Sequence, residues 1–417
     1  MFRRLMTLDE AKQIISKYSP SEPLGSEELS LLRAYNRVLA EDAIATLDIP
    51  PFNRSTVDGY AVRAQDTFGI EEDRPIKLKV CGTVTVGEKP KIKIDNGEAA
   101  EIVTGAPIPN GADAAVMLED IERKNDQLYV YSAVAKDENV MKAGADIKKG
   151  ETVVRKNQLL TSREIGALAA IGLAKVKVYV LPRVSIISTG AEVAKLGRKL
   201  PAGKVYDINA YSLSTAVQES RGIPIYLGVF PDDLGKMRQV LAKALSSSDV
   251  VITSGGVSIG PKDVMPKVLN SLGKPGIIVH GIAIKPGKPV TVASVDGRLI
   301  FSLPGHPTSA LLVFYLLVRP IIERLAGKKA DETLQVKAVT SARMFSAKGR
   351  RTFVMVKLKK DNSTGLMAEP VAAGLSGAIT TLTNADGFVE IAENQQFVDA
   401  GEKVTVRLFK KPSASAS

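Results

Sequence analysis

DVVITSGGVSIGPKDVMPKVL, residues 249–269, is the stretch from which the rest of the chain can be read. Val250, Val251 and Ile252 make a short β-branched run, the composition of a strand covered on both faces. Thr253, Ser254, Gly255 and Gly256 close it with small residues, where a backbone turns sharply and presents bare N–H groups to an anion. Asp263 stands at an N-cap position before a helical segment with Pro266 in its first turn. The segment therefore reads as strand, small-residue turn and helix start, with a carboxylate at the mouth. On this segment alone Asp263 reads equally well as a helix cap and as a ligand. No GxG spacing occurs in the chain, so there is no GxGxxG fingerprint, and there is no GxxxxGK[ST] loop.

From Arg183 onward the chain keeps a βαβ rhythm around this stretch. Strands read at Val184–Ser188, Ile225–Phe230, Val250–Thr253, Val290–Ala293 and Ile300–Leu303. Helices read at about Asn209–Glu219, Leu234–Leu245, Val264–Leu272 and Thr308–Leu325. Such alternation predicts a mostly parallel sheet wrapped by helices, with ligands bound outside the carboxyl ends of its strands. Those ends carry Thr189-Gly190-Ala191-Glu192, Pro231-Asp232-Asp233, Gly255-Gly256 with Asp263, and Pro304-Gly305-His306. Helix capping accounts for any one of these acids but poorly for carboxylates on three successive strand ends. Carboxylates facing N–H-rich turns suit a magnesium ion bound with a phosphorylated substrate.

Upstream, Thr7 and Glu10 form a capping box, followed by Leu8, Ala11, Ile15 and Tyr18 at helical spacing. A second helix is predicted from Ser26 to about Ala40. Pro50 and Pro51 open a loop, LDIPPFNRSTVDGYAVRAQDT, in which Asp58-Gly59 reads as a turn dipeptide. Residues 76–134 alternate as strands, with turns at Gly82, Gly87, Asn96-Gly97 and Asn110-Gly111, and Thr104-Gly105 closes one strand with small residues. This is a small β domain inserted in a mixed element that resumes at 146–180, where Thr161 and Glu164 cap a helix stopped by Gly172. The mixed element is expected to pack with the first helices. After Asp331 the pattern is β to about Phe409, and KKPSASAS reads as a disordered tail.

A chain of 417 residues exceeds what one core serves, so two to four domains are expected. A single cysteine, Cys81, excludes a disulfide framework and fits a reducing compartment. With only His280 and His306 besides, a structural zinc site is excluded, which again leaves an oxygen-liganded metal such as magnesium. The net charge is +11, but the basic residues are spread along the chain and there is no tryptophan to stack bases. No nucleic-acid partner is expected; an anionic small molecule matches the charge. The N-terminus lacks a signal-peptide apolar block. The most apolar run, Ala310–Val318, ends at Arg319-Pro320, too short to span a bilayer. The protein reads as cytoplasmic, with no membrane partner.

Laid out in order, PPFNRSTVDGYAVRAQDT, IVTGAPIPNGADAAVM, ISTGAEV, VYDINAYSL, ITSGGVSIGPKDV, AIKPGKPVTV and SLPGHPTSA closely resemble the molybdopterin molybdenumtransferase family (MoeA, and the gephyrin E domain). LSGAITTLTNADGFVEI is a weaker match. The resemblance implies an elongated linker and dimerisation domain (1–48 and 147–182), an inserted β domain (49–146), a three-layer α/β/α MogA-like domain with a mostly parallel sheet (183–330) and a C-terminal β-barrel-like domain (331–410), before a disordered tail (411–417). It implies a homodimer whose cleft joins one subunit's α/β domain to the other's β domain. Its substrates are adenylated molybdopterin and molybdate (or tungstate), with magnesium-dependent hydrolysis of the adenylate to AMP. Other molybdenum cofactor biosynthesis proteins are implied partners. A molybdopterin adenylyltransferase-like activity and a non-catalytic dimeric scaffold are the alternatives.

Residue by residue, the resemblance makes Glu192, Asp263 and one or both of Asp232 and Asp233 the metal and substrate carboxylates. Lys285 and Lys288 of IKPGKP are implied to face phosphate or molybdate. Asp58 and Thr104 are the β domain's contribution. Thr189, Gly190, Ser254, Gly255, Gly256, Ser258, Pro304 and Gly305 cradle the pterin phosphate. Arg350 and Arg351 are read as reaching toward the cleft. Where many members carry a lysine four positions before Lys285, this chain has Gly281, so Lys288 or His280 is expected to compensate.

Overall fold

A computed structural model describes residues 5–71, 74–256, 264–328, 334–361, 365–371 and 379–409. The chain divides into two compact units, residues 1–27 with 178–417, and residues 28–177.

In the first unit a six-stranded sheet runs in the order Ile223–Phe230, Arg183–Thr189, Val250–Ser254, Arg298–Leu303, Thr291–Val295, Pro275–His280. The first four are mutually parallel, with Val184 opposite Pro224 and Val250, and Val250 opposite Leu299. Thr291–Val295 runs antiparallel to these, and Pro275–His280, antiparallel to it, runs with the first four again. Val250–Ser254 lies inside the sheet and is buried throughout. Its successive side chains point to opposite faces: Val250 and Ile252 join one apolar cluster, Val251 another. That two-sided burial is why the run shows no polar alternation. The strand Pro275–His280 escapes the sequence reading, because its two edge glycyl and prolyl positions hide the short apolar run Ile277–Val279.

Asp207 and Asp233 cap the helices Ile208–Glu219 and Leu234–Ser247, accepting from Ala210 N (3.0 Å) and Lys236 N (2.8 Å). The helix Met265–Leu272 has Val264, not Asp263, at its N-cap and carries no side-chain cap. The single helix expected over Thr308–Leu325 is three pieces: α-helices Pro307–Val313 and Arg319–Leu325 flank a π-turn at Phe314–Val318. Pro320 has no N–H to give the preceding turn, and the wider turn accommodates its ring.

The N-terminal helix Leu8–Tyr18 has the predicted capping box, with Thr7 N donating to Glu10 Oε2 at 2.8 Å. It falls in the unit of residues 178–417, whereas 147–177 of the expected linker domain fall in the other. Leu8, Ala11 and Ile15 enter the cluster that holds Val279, Ile282 and Ile284 of the α/β core, and Ala283 N donates to Met6 O at 2.7 Å.

The C-terminal strands close into a barrel: Arg351–Asp361, Gly365–Pro370, Gln335–Thr340, Lys403–Leu408 and Gly387–Ile391, the last pairing back onto the first through Thr352 and Ile391. Alternate residues such as Val356, Leu358, Val389 and Val406 fill its interior.

The second unit is built on a six-stranded sheet ordered Ala114–Met117, Gly59–Val62, Glu98–Ile102, Ile76–Val84, Gln127–Val130, Ile121–Lys124. Gly59–Val62 was expected to be loop; it is an interior strand buried at every residue. Gly59 is there for close approach rather than for a turn, since a Cβ on it would sit 1.8 Å from Val116 O. Residues 28–48 are knitted to 147–177 by the pairing of Ala43–Ile44 with Thr152–Val154 and by Ala40 N donating to Lys177 O at 2.9 Å. The predicted helix from Ser26 to Ala40 is absent: Ser26–Ser30 is extended, and one helical turn, Leu31–Ala34, ends before Asn36, whose φ is +61°. A left-handed residue there stops the helix, and Leu31 N is spent on Ala174 O. The helix Ser162–Ala170 keeps both arms of its capping box and stops before Gly172 at φ +80°.

Candidate functional site

Three of the four predicted strand ends meet in the first unit. Thr189 ends Arg183–Thr189 and is buried; its Oγ1 donates a very short hydrogen bond to Asp232 Oδ1. Gly190 follows at φ +139°, and the carboxylate of Glu192 folds over it, both oxygens 2.8 Å from where a Cβ would stand. Gly255, at φ +96°, presses on the same turn: a Cβ would lie 2.1 Å from Thr189 O. A Cβ on Gly256 would be 3.2 Å from Asp232 Oδ1. Only glycine permits these two turns to touch while leaving Asp232 at their edge. The arrangement brings Thr189, Gly190, Glu192, Asp232, Gly255 and Gly256 together. It separates the two neighbouring acids, because Asp233 spends Oδ1 on the Lys236 N–H as a helix cap. Asp263 and Ser258 lie outside the described residues.

A residue the sequence reading did not single out ties the fourth strand end to this group. Asn209, in the first turn of Ile208–Glu219, donates through Nδ2 to Ser254 Oγ and to Gly305 O, both at 2.7 Å. The Gly305 carbonyl only accepts, which fixes the amide orientation and leaves Asn209 Oδ1 buried without a partner among the described residues. Gly305 in turn approaches Gly255, whose Cα would be 3.8 Å from a Gly305 Cβ. The signal was present in the quoted stretch VYDINAYSL, where Asp207 caps the helix and Asn209 follows two residues later. Asp207 also accepts from Tyr226 OH at 2.8 Å, and burial together with that carboxylate pushes the phenol's pKa up.

Lys285 and Lys288 lie on the segment that joins the strands Pro275–His280 and Thr291–Val295 and pairs with the barrel. Lys285 is exposed, Lys288 half-buried, and Ile284–Lys285 pairs in parallel with Arg351–Thr352. Gly281 has φ +78°, with its N–H on Val290 O at 2.8 Å, a backbone state that a lysine would strain. His280, offered as a substitute cation, shares a 3.0 Å hydrogen bond with Thr291 Oγ1. Arg351 does not reach freely toward a cleft: its guanidinium is held by Asp9, Glu390 and Glu393.

In the second unit Asp58 and Thr104 are joined. Asp58 Oδ1 accepts from Thr104 N (2.7 Å) and Thr104 Oγ1 (3.0 Å). These two donors, the backbone one first, hold the Asp58 carboxyl below the usual aspartate range. Both residues are exposed. Among the described residues no group of three or more His, Cys, Asp or Glu side chains is placed to hold a metal, and no helix is long and apolar enough to cross a membrane.

Comparison with known proteins gives the family of the chain. Residues 6–172 match the MoeA N-terminal region (domain I and II), residues 185–324 a probable molybdopterin binding domain, and residues 337–409 the MoeA C-terminal region (domain IV). A molybdopterin molybdenumtransferase of Haemophilus influenzae is 32% identical over 97% of this chain and 99% of its own. One from Staphylococcus aureus is 32% identical over 99% and 97%. Two MoeA molybdopterin biosynthesis proteins of Pyrococcus horikoshii have solved structures. The first is 41% identical with a TM-score of 0.86, covering 98% of this chain and all (100%) of its own. The second is 33% identical with a TM-score of 0.82, covering 97% and 100%. With three family regions in order and near-complete coverage, the chain belongs to the MoeA family of molybdopterin molybdenumtransferases.

Proposed function

We propose that this protein is a molybdopterin molybdenumtransferase acting in molybdenum cofactor biosynthesis. It transfers molybdate, or tungstate, to adenylated molybdopterin and hydrolyses the adenylate to AMP. The observation that carries the reading is the convergence of Asp232 and Glu192 on the glycine turns at 190 and 255–256. It sits in the region matched as a molybdopterin binding domain.

The donors present are hard oxygens, the kind magnesium takes. Glu192 and Asp232 would hold the ion, with Asp263 as the third expected carboxylate. Magnesium bound there would neutralise charge building on the leaving phosphate. The chain's own part is positional. Thr189 fixes the Asp232 carboxylate through its hydroxyl, so the acceptor does not reorient when substrate arrives. The glycines at 190 and 255–256 let the two turns close on Thr189, Glu192 and Asp232 with no Cβ between them, which keeps these oxygens together. Lys285 and Lys288 supply positive charge for oxyanion or phosphate. The working molecule is a homodimer in this proposal.

The test is to incubate the protein with adenylated molybdopterin, magnesium and molybdate, then measure AMP and metal on the pterin dithiolene. Stoichiometric AMP with bound molybdenum is expected, and Asp232→Asn should lower the rate by at least about 100-fold, the scale of one electrostatic catalytic contact. Consumption of ATP with unmodified molybdopterin, and no AMP from the adenylate, would instead make it an adenylyltransferase. Absence of both reactions in a folded dimer would leave the scaffold reading.

A further inference from the structure

The segment Ile282–Lys285 is held between two backbones. On one side Met6 bridges Ile282, and Met6 O accepts from Ala283 N at 2.7 Å. On the other, Arg351 N donates to Ala283 O at 2.9 Å, and Ile284 and Lys285 pair with Arg351 and Thr352. Both flanks are short: Ile284–Lys285 is only two residues long. Two-residue pairings are marginal by themselves.

What joins the flanks is the side chain of Arg351. Its Nη2 lies 2.7 Å from Asp9 Oδ2, on the helix that begins just after Met6. Nε reaches Glu393 at 3.1 Å, and Nη1 reaches Glu390 at 3.3 Å. Glu390 is shared with Arg407 at 3.0 Å. The Arg351 side chain is 16% exposed while Asp9 is 62% exposed, so the guanidinium is sheltered and it is the number of its partners, rather than one surface pair, that holds it. The guanidinium lowers the carboxyl pKa values of both Asp9 and Glu393. Three carboxylates around one planar fork is work that lysine's single ammonium cannot do.

We infer that Arg351 is a positioning residue for Lys285: by clamping the barrel strand to the helix Leu8–Tyr18, it closes a frame around residues 282–285 and fixes where the lysine points. The inference rests on the proposed role of Lys285 as a cation for oxyanion or phosphate. Arg351 itself needs no contact with substrate.

The experiment measures AMP release against molybdate and against adenylated molybdopterin for wild type, Arg351→Gln, Lys285→Met and the double variant. Lys285→Met should raise one half-saturating concentration by about tenfold, and Arg351→Gln should raise the same one by about threefold with maximal turnover retained. The double variant should match Lys285→Met alone, since a residue acting through another adds nothing once that one is gone. Multiplicative effects would overturn the inference. So would an Arg351→Gln effect on maximal turnover alone. A wild-type response in Lys285→Met would instead remove the lysine's role, and the inference with it.

A second readout needs no turnover. In Arg351→Gln the Ala283 amide should exchange with solvent at least about tenfold faster while the Ile186 amide in the central sheet is unchanged; equal acceleration of both would mean a general loss of stability and overturn the positioning role. Arg351→Lys should recover part of the affinity. If Arg351→Gln does not fold, Asp9→Asn removes one arm of the clamp and should give the same pattern at smaller amplitude.

Discussion

Asp58 shows how one side chain acquires its properties from two donors. Its Oδ1 takes the N–H and the hydroxyl of Thr104, and the carboxyl is thereby kept ionised below the usual range. A carboxyl whose folded pKa is depressed adds stability that is full above its unfolded value, about 3.9, and is lost as pH falls through the folded one. A carboxyl-resolved NMR titration should place the Asp58 midpoint below that of a free aspartate. Thr104→Val should move it only part of the way back, because the larger contribution, the backbone N–H, survives. A full return in Thr104→Val would mean the hydroxyl alone sets the value. Hydrogen-bond partners also set Asp232 apart from Asp233: one lies at the glycine turns, held by Thr189, and its neighbour is consumed as a helix cap.

At the scale of elements, the helix Leu8–Tyr18 illustrates a local signal with a non-local destination. Its capping box and apolar spacing made it a helix in the sequence, but the stripe Leu8, Ala11, Ile15 says only that something apolar covers it. That partner is the α/β core, where Leu8 is 1% exposed. Leu8→Ala should therefore destabilise the first unit by about 2–5 kcal/mol, the usual cost of emptying a closed apolar site. Urea unfolding followed by probes in each unit should show the loss in residues 178–409 and none in 28–177. Equal loss in both would place the helix's energetic partner elsewhere. The broken helix at 307–325 makes the converse point: Pro320 was visible, but the outcome, a π-turn rather than a stop, depended on Phe314, Leu316 and Leu317 being buried in the same cluster.

For the whole molecule, the division into two units has a consequence for folding. Residues 28–177 are continuous in sequence and carry their own apolar clusters, one around Tyr60, Leu78, Val116 and Leu128, the other around Ala61, Ile94, Ile102 and Ala115. Expressed alone, this segment should fold cooperatively, with strand-rich circular dichroism and a single urea transition. Gly59→Ala in the same segment should cost about 3 kcal/mol or more, at the upper end of overpacking penalties, because its Cβ would meet backbone rather than a movable side chain. A fragment that melts without cooperativity, or that accepts Gly59→Ala without a shift, would contradict this.

Much of the α/β strand order's raw material, and the residues at the strand ends, were legible from the chain alone. β-branched runs, caps and small-residue turns are encoded within a few residues of each other, and the quoted motifs identified the family. Asp58, Thr104, Glu192 and Asp232 were likewise named from local pattern and resemblance. The tertiary structure decided what local pattern does not carry. Gly59–Val62 became a strand because Ala114–Met117 and Glu98–Ile102 offered backbone partners on both sides. The reading of Ser26–Ala40 as helix failed because Leu31 and Asn36 give their N–H groups to distant residues, Ala174 and Leu160. Asn209 bridges strand ends 45 and 96 residues away in sequence, and Arg351 meets Asp9 across 342. Hydrogen bonds and ion pairs of that separation depend on which surfaces the folded chain brings together, and no window along the sequence contains both partners.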